Sequence, residues 1–289
     1  MVHLYPYFFV LIGAVLWGMT GTIQTFLDEG ISPIAVAAVR SAFGGGLLLV
    51  IAMILGKIRL STWSWQWTIL AAASIALFQG LFFSSIRLTG VAIGTVVTIG
   101  SAPIFTGMLE WVLWKMRPTK VWGIATSLAI AGCLLLYVNS GDASIHMGGI
   151  ALALAAGMSF AFYTNVSKKL MMQEDALPAV AMTFSVCALL LFPFSISGGY
   201  SWITQQHNLG SMLFMGVMCT SIAYLLFLSG LQKISSSSAV TLSLAEPLTA
   251  AMLGVFFVGE YLSMTSWIGV AMLLGGILVL TLGSRQATS

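Results

Sequence analysis

Only eight acidic, eleven basic and three histidine side chains are spread over 289 residues, so charged chemistry depends on a few positions. Two of them lie deep inside long apolar runs: Arg40, about seven residues into one, and Glu246, near the middle of another. A charge at a bilayer centre costs about 2.5–3.5 kcal/mol on insertion scales, which makes such a residue a functional candidate. The forked guanidinium of Arg40 suits a carboxylate; the plainer reading is that it snorkels or ties helix ends and carbonyls together. Glu246 directly precedes Pro247, which removes a backbone donor and disfavours helical geometry one residue earlier, so a bend is expected there. A carboxylate beside the freed carbonyls could bind a proton or an amine, or could simply bond to a neighbouring helix. Glu110 and Glu260 sit near the ends of apolar runs and read as interfacial.

Uncharged polar and aromatic residues recur at helical spacing. Trp17, Thr20, Gly21 and Gln24 share one face, as do Gln79 and Phe83 (with Phe82 beside them), Ser159 and Tyr163, and Thr220, Tyr224 and Phe227. Thr95, Thr98 and Ser101 precede Pro103, and Thr241 and Ser243 precede Pro247. Aromatic walls with a few hydrogen-bonding groups suit an amphipathic organic solute, and such rings also hold cations. Against this, Ser and Thr often bond to their own helix and aromatics often only pack. The candidate binding set is Trp17, Gln24, Gln79, Phe83, Thr98, Tyr163, Tyr224 and Thr241, with Glu246 and Arg40 as coupling or gating residues. Nucleotide-binding loops, His/Cys metal clusters and Gly-x-Ser-x-Gly elbows do not occur, and His3, His146 and His207 are far apart. Cys133, Cys187 and Cys219 all fall in apolar runs and read as small packing residues.

These residues need a lipid-soluble scaffold. The chain is 59% hydrophobic and 7% charged, with a mean hydropathy of +1.02; a soluble domain carries about 25% charged residues. A net charge of +3 is too small for a nucleic-acid binder. Reading between polar and Pro/Gly breaks gives ten apolar spans near 5–27, 33–55, 65–86, 91–114, 119–139, 148–169, 177–197, 209–231, 236–258 and 263–284. Continuous runs such as 69–83 do not alternate, which argues against a barrel. The first span lacks a positive leader and a small-residue cleavage site, so it reads as a retained helix. Alternating the spans puts nine basic residues on one side, Arg87 alone on the other and Arg40 inside a span; the nine mark the cytoplasmic side and place both termini there.

Small residues are read as packing surfaces, notably Gly44–Gly46, Gly90 with Gly94, and Gly275–Gly276. Ser235–Ser238 reads as a helix cap, and Trp63, Trp65 and Trp67 as an interfacial belt. Asn165-Val166-Ser167 spells a glycosylation sequon near the expected cytoplasmic end of the sixth span and is read as coincidence. Sliding the second half back by 144 residues sets Pro247 on Pro103 and Gly276 on Gly132, with five spans to each half. An odd count inverts one half against the other, as in many secondary transporters with midplane sites. The expected fold is an all-α integral membrane protein of ten helices, built as two inverted five-helix repeats, 1–143 and 144–289, around a central cavity.

Trp17-Gly18, Pro33 with Arg40, and the series Leu244-Ala245-Glu246-Pro247, Gly259-Glu260, Gly269 and Gly276 together resemble EamA-type proteins, bacterial members of the drug/metabolite transporter superfamily. Glu260 aligns with Met116 and Arg40 approximately with Ser185, so the halves are chemically unequal. The resemblance implies a cavity lined by helices one, three, four, six, eight and nine, flanked by two and seven, with five and ten peripheral. It also favours a structural or gating role for Arg40, whose position the family marks whatever the substrate. The activity it implies is secondary active or facilitative export of small organic metabolites by alternating access, amino acids first, aromatic or other hydrophobic ones among them. Competing readings are a passive solute channel, an exporter of drugs or cationic xenobiotics and, least favoured, an intramembrane lipid-modifying enzyme. No cofactor is expected. The expected partners are a small-molecule substrate, the bilayer of a bacterial inner membrane and, if export is coupled, protons; a monomer is expected, with a dimer as the alternative.

Overall fold

The computed structural model describes residues 4–137, 146–196, 199–259 and 261–283. Glu260, Arg285, His3 and most of the loop joining the halves lie outside the described residues. Ten helices follow one another: α1 Tyr5–Gln24, α2 Pro33–Ile54, α3 Trp65–Val91, α4 Ile93–Trp114, α5 Lys120–Tyr137, α6 Met147–Leu170, α7 Ala176–Ser195, α8 Gln206–Leu231, α9 Ser236–Phe257 and α10 Met264–Gly283. Nine are long and apolar enough to cross a membrane among the described residues. The tenth, α5, has an apolar stretch over Lys120–Leu136, at the short end of the roughly 17–25 residues a crossing needs.

Local chemistry sets the ends. Pro33 opens α2 after an extended Ser32, and the Ser235 hydroxyl accepts from the Ser238 N–H to start α9, as its serine run suggests. Between α3 and α4 the expected loop is almost absent. Helical geometry continues to the junction and breaks only at Gly90, whose φ of 82° suits a residue without Cβ. α9 breaks at Ser243–Leu244, directly before Glu246-Pro247, as the proline requires. α8 contains a π-helical turn over Met215–Ile222. Of the three expected belt tryptophans only Trp65 is well exposed; Trp63 is buried, donating to Thr68 Oγ1 in the first turn of α3 at 3.0 Å.

The two faces of the bundle are identified by contacts between loops. Ser64 N–H donates to Glu174 and Pro6 abuts Gly230 on one face, which also holds the beginning of α1 and the end of α10; Asp28 meets Asn208 on the other. We call these the terminal face and the mouth face.

Packing runs almost wholly between the halves. α1 lies on α8 and α9, while α6 lies on α3 and α4; α2 packs on α7 and α8, α3 on α7, and α5 on α10. Adding five to each label, or subtracting it, maps this set onto itself. Glycines permit the close approaches: a Cβ at Gly13 would come within 2.8 Å of the Ala223 carbonyl oxygen, and one at Gly157 within 2.8 Å of that of Thr98. The α5–α10 seam is reciprocal, Gly132 against Gly269 and Gly276 against Ala125, each contact the other's image under the 144-residue offset. Each half has lent its first helix to the other, giving two mixed bundles, α1–α8–α9 and α6–α3–α4. Large apolar side chains such as Phe8, Ile54, Leu189 and Phe194 face outward, where lipid covers them.

Candidate functional site

Between the mixed bundles lies a cavity of about 370 Å³, within the range of small-molecule sites. α1 contributes residues from Trp17 to Gln24, α3 residues from Phe78 onward, α4 its first turns and α9 the stretch around its break. These are the mouth-side portions of each helix, so the cavity occupies the mouth half and rises to exposed Pro33 and Val91. The terminal half beneath it is filled by side chains.

An aromatic floor closes the cavity. The Trp17 ring lies 4.6 Å from Tyr224, 5.0 Å from Phe227 and 6.1 Å from Phe160, the last edge-on. Phe78 extends the layer 5.2 Å from Phe160, and Phe184 packs on Tyr224 at 4.3 Å. Such tilted and edge-on pairs are the favoured arrangements for aromatic rings.

Charge enters from two sides. Arg40 on α2 donates through Nη2 to Gln79 Oε1 at 2.7 Å and through Nε at 3.3 Å, while Gln79 Nε2 donates to Cys187 Sγ at 3.4 Å. Gln79 therefore fixes the guanidinium in the wall and leaves donors facing the cavity. Glu246 lines the same cavity and makes no ion pair or hydrogen bond through its carboxylate among the described residues. The α9 break needs room, and Gly18 gives it: a Cβ there would stand 2.6 Å from both the Glu246 carbonyl oxygen and Thr249 Cβ. This gives the Trp-Gly pair of α1 and the Glu-Pro pair of α9 a shared structural reason.

Of the ten candidates, Trp17, Gln24, Gln79, Phe83, Thr98, Tyr224, Arg40 and Glu246 line the cavity. Thr98 spends its hydroxyl on the Ala153 carbonyl at 3.1 Å, holding α4 to α6. Tyr163 lies outside the cavity lining, fully buried beneath the floor, and Thr241 faces α5, sharing a 2.8 Å hydrogen bond with Thr126. Ser159 and Thr220 bond to their own helices. α2, expected only to flank, supplies Arg40 and Pro33. Phe78 and Phe160 were missed, though Phe160 stands three residues before Tyr163 on a shared face. Glu110 is corrected: it is 3% exposed, not interfacial, because backbone donors at the start of α9 satisfy its carboxylate.

At the mouth, Asn208 Nδ2 donates to Asp28 Oδ2 at 2.7 Å and His207 Nε2 lies 3.0 Å from Oδ1. These bonds, first Asn208 and then His207, hold the Asp28 carboxyl below its usual range.

A membrane bundle split by a solute-sized cavity, open at one end and packed shut at the other, has the build of a solute transporter. The chain belongs to the EamA-like transporter family, whose sequence pattern matches it twice, over residues 4–138 and 147–282. It is 45% identical over 278 residues to the uncharacterized transporter YwfM of Bacillus subtilis, covering 96% of this chain and 94% of that protein. It is 26% identical to the uncharacterized inner membrane transporter YicL of Salmonella typhimurium, covering 96% and 95%. A crystal structure with 18% sequence identity superposes with a TM-score of 0.85 over 98% of this chain and 99% of that one, which supports the fold.

Proposed function

We propose that this transporter exports amino acids, aromatic and other hydrophobic ones foremost, by alternating access between its mixed bundles. The observation that carries the reading is the pairing across one cavity of a fixed cation, Arg40 held by Gln79, with an unpartnered carboxylate, Glu246, above a floor of rings. A zwitterion matches both charges, its carboxylate toward Arg40 and its ammonium toward Glu246, with the side chain on Trp17 and Phe160. The skew of basic residues supports a cytoplasmic terminal face, so the described state opens outward. Proton coupling, if present, falls to Glu246, since no other carboxylate lines the cavity among the described residues.

Labelled metabolites tested for counterflow in proteoliposomes decide the matter. Exchange of phenylalanine, tryptophan or leucine, lost in Arg40→Ala, is the expected result. Flux without counterflow would instead indicate a channel, and exchange of organic cations alone would reassign the site to cationic solutes held by Glu246 and the rings.

A further inference from the structure

The mixed bundles meet at the terminal face of the protein through a buried carboxylate. On the terminal face Glu110, at the end of α4, accepts from the N–H groups of Ser236 at 2.8 Å and Ser237 at 3.1 Å. The Ser237 hydroxyl donates to the same carboxylate at 2.6 Å. α4 belongs to one bundle and α9 to the other, so this buried side chain spans the seam. All three partners are donors, as an ionised carboxylate requires, and the N-terminus of a helix favours negative charge. Lys168 on α6 adds a second tie across the seam by donating to the Ile234 carbonyl.

The region behind this fastening is not satisfied internally. Asn165 Oδ1 on α6 and Ser236 Oγ on α9 are buried without hydrogen-bond partners among the described residues, and Tyr163 OH and Ser167 Oγ on α6 have no partner beyond each other. Leaving such atoms unpaired is costly and calls for a reason. They lie between the aromatic floor and the terminal face, in the half that an alternating-access transporter must open. Water or solute would reach them there once the bundles part.

We propose that Glu110 is the latch of the terminal-side gate, and that its release from Ser236 and Ser237 opens a passage past Ser167 and Tyr163 to the cavity floor. The inference rests on the alternating-access part of the proposed function and not on the identity of the solute. The latch is one-sided, because the repeat offset places Gly254 opposite Glu110.

The test uses the full chain in membrane vesicles, with Ser167→Cys as reporter and a membrane-impermeant maleimide applied to each face in turn. Glu110→Gln should raise labelling from the terminal face about tenfold or more, the scale of one charge-assisted hydrogen bond. Ser237→Ala, which keeps the carboxylate, should raise it less. Labelling from the mouth face should not increase in either variant. Parental rates in both variants, or equal gains from both faces, would overturn the proposal; if Glu110→Gln fails to insert, Ser237→Ala decides alone. The readout contains no substrate, so failure to exchange amino acids would leave this result standing.

Discussion

An arginine in an apolar helix must spend its donors somewhere, and here Gln79 takes two of them. The glutamate on the same cavity has no such tie among the described residues, as the proposed coupling role requires. Glu246→Gln should therefore abolish uptake driven by a pH gradient in proteoliposomes and weaken counterflow through the lost contact with the ammonium; unchanged pH dependence would remove Glu246 from coupling. Both charges could be read from the sequence because few charges interrupt its apolar runs. Tyr163 shares helical spacing with the lining residue Phe160, and Thr241 stands two residues before the lining residue Ser243, yet neither placement says which neighbour a side chain meets. Glu110 was illegible for another reason: its partners lie 126 and 127 residues away, and its place near a span end gave it the profile of an interfacial residue.

Among the elements, α1 and α9 fit only because one lacks a Cβ where the other breaks. Gly18→Ala should cost about 1–3 kcal/mol through overpacking, seen as a lower melting temperature in detergent. Gly21→Ala is the control, since a Cβ there meets nothing within 4 Å; an equal loss in both would refute the contact argument. The loop joining α1 to α2 is tied to α8 through Asp28, whose folded carboxyl binds protons less readily than the unfolded one. Its stabilisation is thus present above the ordinary carboxylate value of 3.8 and is lost as pH falls through the lower folded value. The melting-temperature gap between the parent and Asp28→Asn should shrink as pH drops through that window, whereas a constant gap would place the effect elsewhere. The α9 break was legible in Glu246-Pro247. The near-continuous α3–α4 junction was not, since a glycine between apolar stretches fits a loop as well as a single sharp turn.

At the scale of the molecule, ten crossings and their lipid-facing surfaces follow from apolar length, and the skew of basic residues suggests their sense. Cysteines introduced at exposed Thr62 and Ser201 should react with an impermeant label only from the cytoplasm and only from outside, respectively; the reverse pattern would invert the proposed orientation. The pairing of helices was beyond reach of the sequence, because apolar faces carry little information about their partners in lipid. The packing sets α1 with α8 and α9, and α6 with α3 and α4, so each mixed bundle takes helices from both halves. That exchange also bears on how the protein is held together. A peptide bond cut in the segment between α5 and α6 would sever the chain without dividing the structure, since α1 and α6 stay embedded among helices of the opposite fragment and the glycine seam of α5 and α10 rivets the ends. Neither fragment has a complete interior of its own, so each should be degraded when made alone and rescued when the two are made together.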